Sequence, residues 1–265
     1  MLLSVVVLTQ AVTSPATAAP EKSTAAPLPL PTAAARLLAQ AAAAEKNNDL
    51  LNAQELYEKF LEDFPEIGNQ TSGAKKKLWD INTKIILSSL YTPDCILYTV
   101  EPGDTLAKIA KRFSVTQELL KISNGLKSDT IYYGKKLRIW TKPLQIVIDK
   151  SKNRLTLKSA DQVIKIYPVA TGENGGTPAG EFTITSRLEN PVWFRKGEPI
   201  APDDPRNALG TRWLGFNYPQ YGIHGTIRPD LIGQQVSHGC VRMRNKDVEE
   251  LYVLVPEGTK VTIHD

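Results

Sequence analysis

The spacing of apolar residues changes period along this chain, and that change most narrows what it can fold into. From Ala33 to about Ser89 the period is helical. Leu37, Leu38, Ala41 and Ala44 mark one stripe. Ala53, Leu56, Tyr57, Phe60, Leu61 and Phe64 follow at i, i+3, i+4 and i+7, and Pro65 ends that run because it has no N–H to donate. Leu78, Ile81 and Ile85 predict a further helix. After Tyr91-Thr92-Pro93-Asp94 the reading is mixed. A strand ends at Pro102-Gly103, and Asp104 or Thr105 caps a helix carrying Leu106, Ile109, Ala110 and Phe113. A second helix runs from about Thr116 to Ser123 and stops at Asn124-Gly125, and a strand follows at Lys136–Trp140, giving the order βααβ. From Leu144 on, strands dominate. Gln145–Ile148 and Arg154–Leu157 read as a hairpin, with Val163–Tyr167, Phe182–Thr185 and Lys260–Ile263 as further strands. One short helix carries Val248, Leu251, Tyr252 and Val255, with Asn245 as its expected cap. Many short strands beside few helices predict a β-rich sandwich or barrel for this last part.

A length of 265 residues predicts two or three domains, and 42% hydrophobic with 23% charged residues is ordinary for a soluble globular protein. The net charge of +4 is dispersed, and Lys75-Lys76-Lys77 reads as a solvated helix face, so nucleic acid is not an expected partner. Residues 1–18 join an apolar run, Met1 to Leu8, to the small residues Ala16-Thr17-Ala18, the pattern of an export signal. That run is too short to span a bilayer, and no other segment is a transmembrane candidate. The expected location is the periplasm or cell wall. Residues 19–32, with Pro20, Pro27, Pro29 and Pro31, read as a linker. An exported chain with two cysteines invites a Cys95–Cys240 disulfide, but one cysteine sits in a linker and the other in a glycine-bounded motif, which gives the bridge little support.

Chemistry concentrates near the C-terminus, in His224-Gly225-Thr226 and Ser237-His238-Gly239-Cys240-Val241-Arg242. A thiol beside an imidazole can form a thiolate–imidazolium pair, a nucleophile for acyl transfer near neutral pH. Cys240 is the expected nucleophile and His224 the proton donor and acceptor. Gly239 leaves the approach to Cys240 open, and the Gly239 and Cys240 N–H groups are candidate oxyanion donors. Two other readings of these residues stand beside this one: an inert buried cysteine with satisfied histidines, and a zinc site made by His224, His238 and Cys240. The acyl-transfer reading needs no cofactor or metal. His264 is expected to be exposed.

Two resemblances organise the chain. Tyr98-Thr99-Val100 with Gly103-Asp104-Thr105-Leu106, then Ser123-Asn124-Gly125-Leu126, then Gly134-Lys135-Lys136-Leu137-Arg138-Ile139, resemble a LysM module over residues 97–141. The resemblance implies a shallow groove for N-acetylglucosamine-containing glycan, usually peptidoglycan, between Gly103, Asp104, Thr105 and Asn124, Gly125, Leu126. For Gly103 and Asp104, turn-making is the competing role. Residues 144–265 resemble an L,D-transpeptidase catalytic domain of the YkuD type, through Thr177-Pro178-Ala179-Gly180-Glu181-Phe182, Leu209-Gly210-Thr211-Arg212-Trp213-Leu214, His224-Gly225-Thr226 and Ser237 to Met243. That resemblance implies attack by Cys240 on a stem tetrapeptide, release of D-Ala, and a thioacyl-enzyme resolved by a neighbouring stem as a 3→3 cross-link. It implies substrate contacts for Ser237, His238 and Arg242, with carbonyl binding as the alternative for Arg242. Gly225 stands where some relatives carry Ser, so a backbone carbonyl or another side chain must orient His224. Residues 33–89 form an expected helical hairpin, weakly similar to part of a tetratricopeptide repeat, that packs on its neighbours or holds a protein partner. An L,D-carboxypeptidase with the same site, and a non-catalytic wall-binding scaffold, are the alternative functions.

Overall fold

A computed structural model describes residues 30–195 and 197–265. The expected export signal and most of the linker lie outside the described residues. The chain opens with three helices, α1 (Thr32–Lys46), α2 (Leu50–Asp63) and α3 (Gly68–Leu87). Asp49 caps α2 by accepting the Asn52 N–H, and Leu50, Ala53, Tyr57 and Phe60 form its buried face. Ala34, Ala41 and Ala44 let α1 approach that face closely. The tetratricopeptide-like reading is not confirmed. The segment is a three-helix layer and not a hairpin, because α3 packs against both α2 and the β-sheet that follows.

Next come β1 (Cys95–Thr99), α4 (Leu106–Arg112), α5 (Gln117–Ser123) and β2 (Lys136–Trp140), with β1 and β2 antiparallel. Thr105 and Thr116 cap the two helices, each accepting the N–H three residues on. Arg138, on β2, is 4% exposed. Its guanidinium donates to the carbonyls of Ile86 at 2.9 Å and Ile85 at 3.1 Å, and to Leu90. The first two belong to the last turn of α3, whose carbonyls have no partner within the helix and carry its negative end. One buried cation therefore joins the βααβ unit to the helical layer.

The remainder holds β3 (Gln145–Asp149), β4 (Arg154–Ser159), β5 (Gln162–Pro168), β6 (Thr171–Gly172), β7 (Gly180–Glu189), β8 (Trp193–Arg195), β9 (Glu198–Ile200), β10 (Arg212–Phe216), β11 (Gly222–His224), β12 (Gln235–Ser237), β13 (Val241–Arg242), α6 (Asn245–Leu254) and β14 (Lys260–His264). Eight strands make one curled sheet in the order β13-β11-β10-β7-β14-β3-β4-β5. Of the expected sandwich or barrel, the main sheet is not a stacked pair, and it is accompanied by three two-stranded sheets. Helix α6 takes the place of a second layer, burying Val248, Leu251 and Leu254 with Leu214, Ile223, Val241 and Val261.

Strand β5 is the free edge of that sheet, and α3 covers it. The Asn82 amide donates toward the Val163 and Ile164 carbonyls, each at 3.3 Å, while Gln54 holds its oxygen at 2.8 Å. Covering an edge in this way removes a template for strand addition. Lys165 on β5 bridges Asp80 of α3 (2.8 Å) and Glu250 of α6 (2.9 Å), and Tyr167 donates to Glu250 at 2.6 Å. The three segments are packed as neighbours through polar groups, Asn82 and Arg138 among them buried.

Replacing Arg138 by Ala should strip the Ile86 and Leu90 carbonyls of their donor and leave the Ile85 carbonyl to Ser88 alone. The expected loss is on the order of 3 kcal/mol in the unfolding free energy, measured by urea titration. An unchanged midpoint would mean that the guanidinium is not what couples β2 to α3.

Candidate active site

Parallel pairing of β11 with β13 sets Ile223 beside Val241 and His224 beside Arg242. Side chains alternate along a strand. Ile223 and Val241 point into the core, so His224 and Arg242 point to the other face. Cys240 immediately precedes Val241 and shares that face, beside Gly222. Strand register thus gathers Cys240, His224 and Arg242 at one sheet edge.

His224 is 3% exposed. Its Nδ1 lies 2.7 Å from the Gly225 carbonyl. A carbonyl only accepts, so Nδ1 carries the proton and Nε2 keeps its lone pair. The orienting group left open by the sequence is therefore a backbone carbonyl. Burial lowers the imidazole pKa from 6.5 to about 4, and the Arg242 charge adds to this. The Gly225 and Leu209 carbonyls oppose the shift without cancelling it. The Trp213 indole stacks on the ring, with centroids 5.9 Å apart and planes 24° apart. It lies over two glycines: a Cβ on Gly222 would come within 2.9 Å of the indole, and one on Gly215 within 2.7 Å. In the sequence Trp213 stands in a motif that gives it no role of its own. The signal was the glycine two residues along the strand.

Cys240 is half-buried, and its thiol donates to the Gln220 carbonyl at 3.3 Å. Gln220 adopts φ of +71°, a strained conformation for a non-glycine residue, to present that carbonyl. Burial pushes the thiol pKa up, against the Gly222 N–H and the Arg242 charge, which pull it down. Both shifts favour the uncharged forms over the expected ion pair, and the thiol bonds to the Gln220 carbonyl.

The Ser-His-Gly-Cys turn is tied internally. Gly239 has φ of +137°, and a Cβ there would sit 2.4 Å from the Tyr221 ring and 2.8 Å from the Gly176 carbonyl. Its N–H donates to the Ser237 hydroxyl at 3.1 Å, and that hydroxyl donates to the Cys240 carbonyl at 2.7 Å. Ser237, 1% exposed, is thus engaged within the turn, and the Gly239 N–H, an expected oxyanion donor, is bonded to the Ser237 hydroxyl. The Cys240 N–H has no protein acceptor among the described residues. Thr177 fastens the turn from outside, donating to the Gly239 carbonyl at 2.8 Å and accepting the Gly172 N–H at 2.7 Å. His238 is exposed at the rim. The Arg242 Nε is buried without an acceptor, so the carbonyl-binding alternative has no bond behind it there. The zinc alternative lacks a ligand set: among the described residues no three His, Cys, Asp or Glu side chains converge. His264 is exposed, as expected.

In the βααβ unit most of the expected glycan contacts serve the fold. Asp104 accepts from the Tyr98 hydroxyl (2.7 Å) and the Glu101 N–H (2.9 Å), and Thr105 is the α4 cap. Asn124 accepts the Arg138 N–H at 2.7 Å and donates to the Arg138 and Leu120 carbonyls, both at 2.9 Å. Gly103 and Gly125 are exposed turn residues at φ of +83° and +59°, and Leu126 packs on the core. The most exposed large apolar side chains of the unit are Tyr132 and Tyr133, 71% and 77% exposed, on a turn bonded to Val100. They lie outside the glycine-marked stretches of the sequence.

Residues 143–263 match the model of the L,D-transpeptidase catalytic domain, and residues 98–140 match that of the LysM domain. The chain is 39% identical over 176 residues to L,D-transpeptidase YkuD of Bacillus licheniformis, covering 63% of this chain and 98% of that protein. Its counterpart in Bacillus subtilis (strain 168) is 38% identical over 176 residues, with 64% and 99% covered. The chain therefore belongs to the L,D-transpeptidase family and carries a LysM domain. Among solved structures it resembles an L,D-transpeptidase from Mycobacterium smegmatis, at 20% identity and a TM-score of 0.40, over 50% of this chain and 64% of that one, less than two thirds of its length.

The depressed His224 pKa has a sign that can be measured. Between pH 6.5 and about 4 the unfolded chain takes up a proton that the folded chain refuses, so stability falls as pH falls through this window. The stability advantage of wild type over His224→Gln should shrink by about 3 kcal/mol across it, read from paired urea titrations. A constant difference would mean that His224 is not buried in neutral form.

Proposed function

We propose that this chain is a peptidoglycan L,D-transpeptidase working through a Cys240 thioester. The observation that carries the reading is the β11–β13 register, which gives Cys240, His224 and Arg242 a common face. The stem's third-residue carbonyl approaches Cys240, and the thiol leaves the Gln220 carbonyl. Its proton passes to His224 Nε2 as the C–S bond forms. The Cys240 N–H donates to the oxyanion of the tetrahedral intermediate. The C–N bond then breaks, His224 returns the proton to the departing amine, and D-Ala leaves. An acceptor amine from a neighbouring stem attacks the thioester, loses a proton to His224, and forms the 3→3 cross-link while the thiol is restored. Arg242, with its buried Nε unpartnered, receives the substrate carboxylate, and His238 lines the rim.

Water in place of the amine would give an L,D-carboxypeptidase from the same thioester. The LysM domain holds glycan and raises the local concentration of stems. Tyr132 and Tyr133 are its outward-facing aromatic surface, with Gly103 and Gly125 shaping the neighbouring turns. Among the described residues no helix is long and apolar enough to cross a membrane, and an exported location in the periplasm or cell wall suits the substrate. The helical layer already has an intramolecular partner in β5, which favours a connecting role over an adaptor role.

Incubation with a tetrapeptide-stem muropeptide should add the acyl mass to Cys240 and release D-Ala, read by mass spectrometry. Cys240→Ala should lose turnover by at least about a thousandfold. Normal cross-linking by that variant would remove the nucleophile assignment, and trimmed monomers without cross-links would select the carboxypeptidase. Tyr132→Ala combined with Tyr133→Ala should lower co-sedimentation with wall sacculi while thioester formation on soluble muropeptide persists. Undiminished sedimentation would move the glycan surface elsewhere.

A further inference from the structure

Asn245 was expected to cap α6. It does not: the helix boundary is Arg244, without a side-chain cap, and Asn245 turns its amide oxygen the other way. That oxygen accepts the Thr226 N–H at 2.9 Å. It is wedged between two glycines, since a Cβ on Gly225 would lie 2.2 Å from it and one on Gly210 2.3 Å from it. The Thr226 N–H and the Gly225 carbonyl belong to one peptide unit, which is planar and trans. The carbonyl side of that unit takes the proton of His224 Nδ1 at 2.7 Å. One rigid plane therefore has Asn245 at one edge and the imidazole at the other. The Gly225 N–H is fixed as well, donating to the Arg212 carbonyl at 3.2 Å.

We propose that Asn245 is a positioning residue for His224, acting through the Gly225–Thr226 peptide to hold the imidazole in the tautomer with Nε2 free. Two features make the arrangement specific. Asn245 sits on the first turn of a helix anchored by the buried Val248 and Leu251, so its oxygen has a fixed origin. Hydrogen bonds in series also polarise one another, so a donor held at the N–H strengthens the carbonyl as an acceptor. Without the amide oxygen the peptide can rotate, the carbonyl leaves Nδ1, and the imidazole samples the tautomer that places a proton on Nε2. In that form it cannot take the thiol proton. The glycines at 210 and 225 follow from the same contact, because any side chain at either would push the oxygen off the Thr226 N–H.

The inference rests on His224 as the base, but its first readout does not depend on turnover. Nitrogen chemical shifts of His224 in 15N-histidine-labelled protein report the tautomer directly. In wild type the signals should be those of an Nδ1–H ring, and in Asn245→Ala the Nε2–H form should appear. The kcat for thioester formation on a tetrapeptide-stem muropeptide should fall about tenfold to a hundredfold in that variant, with KM within about twofold. Asn245→Asp keeps an acceptor oxygen in the same place and should restore both the tautomer and most of kcat. Asn245→Ala with unchanged shifts overturns the proposal, and so does a kcat loss that Asn245→Asp fails to recover. If Asn245→Ala does not fold, Asn245→Ser carries the same comparison, because its shorter side chain cannot reach the Thr226 N–H. An inactive enzyme with the expected tautomer shifts would leave this proposal standing and count only against the substrate assignment.

Discussion

The site depends on one short parallel pairing. Strands β11 and β13 meet over two residue pairs, and that register decides which side chains share a face. A slip by one residue would turn Cys240 and Arg242 into the core and bring Val241 out beside His224. The surrounding features serve to prevent such a slip. Ile223 and Val241 are fully buried on the opposite face, Arg242 exchanges backbone bonds with Ala170, and the Met243 N–H donates to the His224 carbonyl. The glycines on either side of the pairing are positions where backbone or a ring passes too close for a Cβ, as the Gly222–Trp213 and Gly239–Tyr221 contacts record.

A second level of organisation lies outside the sheet. Arg138 ties the LysM domain to the end of α3, and Asn82 and Lys165 tie α3 to β5. The Glu118–Arg187 ion pair at 3.2 Å adds a direct link from α5 to β7. Polar groups carry these joints. Each buried donor or acceptor left unmade would cost more than the bond contributes when made, which makes the contacts selective for one arrangement. The helical layer thereby contacts both the LysM domain and the sheet of the L,D-transpeptidase domain.

Much of the fold was legible in the sequence, because period is a local property. The helical stripe, the βααβ order and most strands of the last part lie close to where apolar spacing put them. What the sequence did not reveal was closure. Alternating strands fit one curled sheet or two stacked ones equally well, and only the pairing of β14 with both β3 and β7 decides between them. The third helix was visible, but its second face, turned to β5, was not. Within the site the residue types were readable and their electrical state was not. Cys240 and His224 stood out as a pair, yet the burial that keeps both neutral is a tertiary property. Ser237, Asp104 and Asn124 are bound to backbone groups, and a polar residue near a glycine carries no sign of that in the sequence.

The protonated form of the Cys240 thiol bears on how the sulfur meets oxidants. Peroxides and disulfides attack the anionic form of sulfur far faster than the protonated one. A thiol kept protonated by its surroundings, and donating to a backbone oxygen, presents oxidants with a sluggish target. The burial that lowers the reactivity of the thiol thus also slows its oxidation.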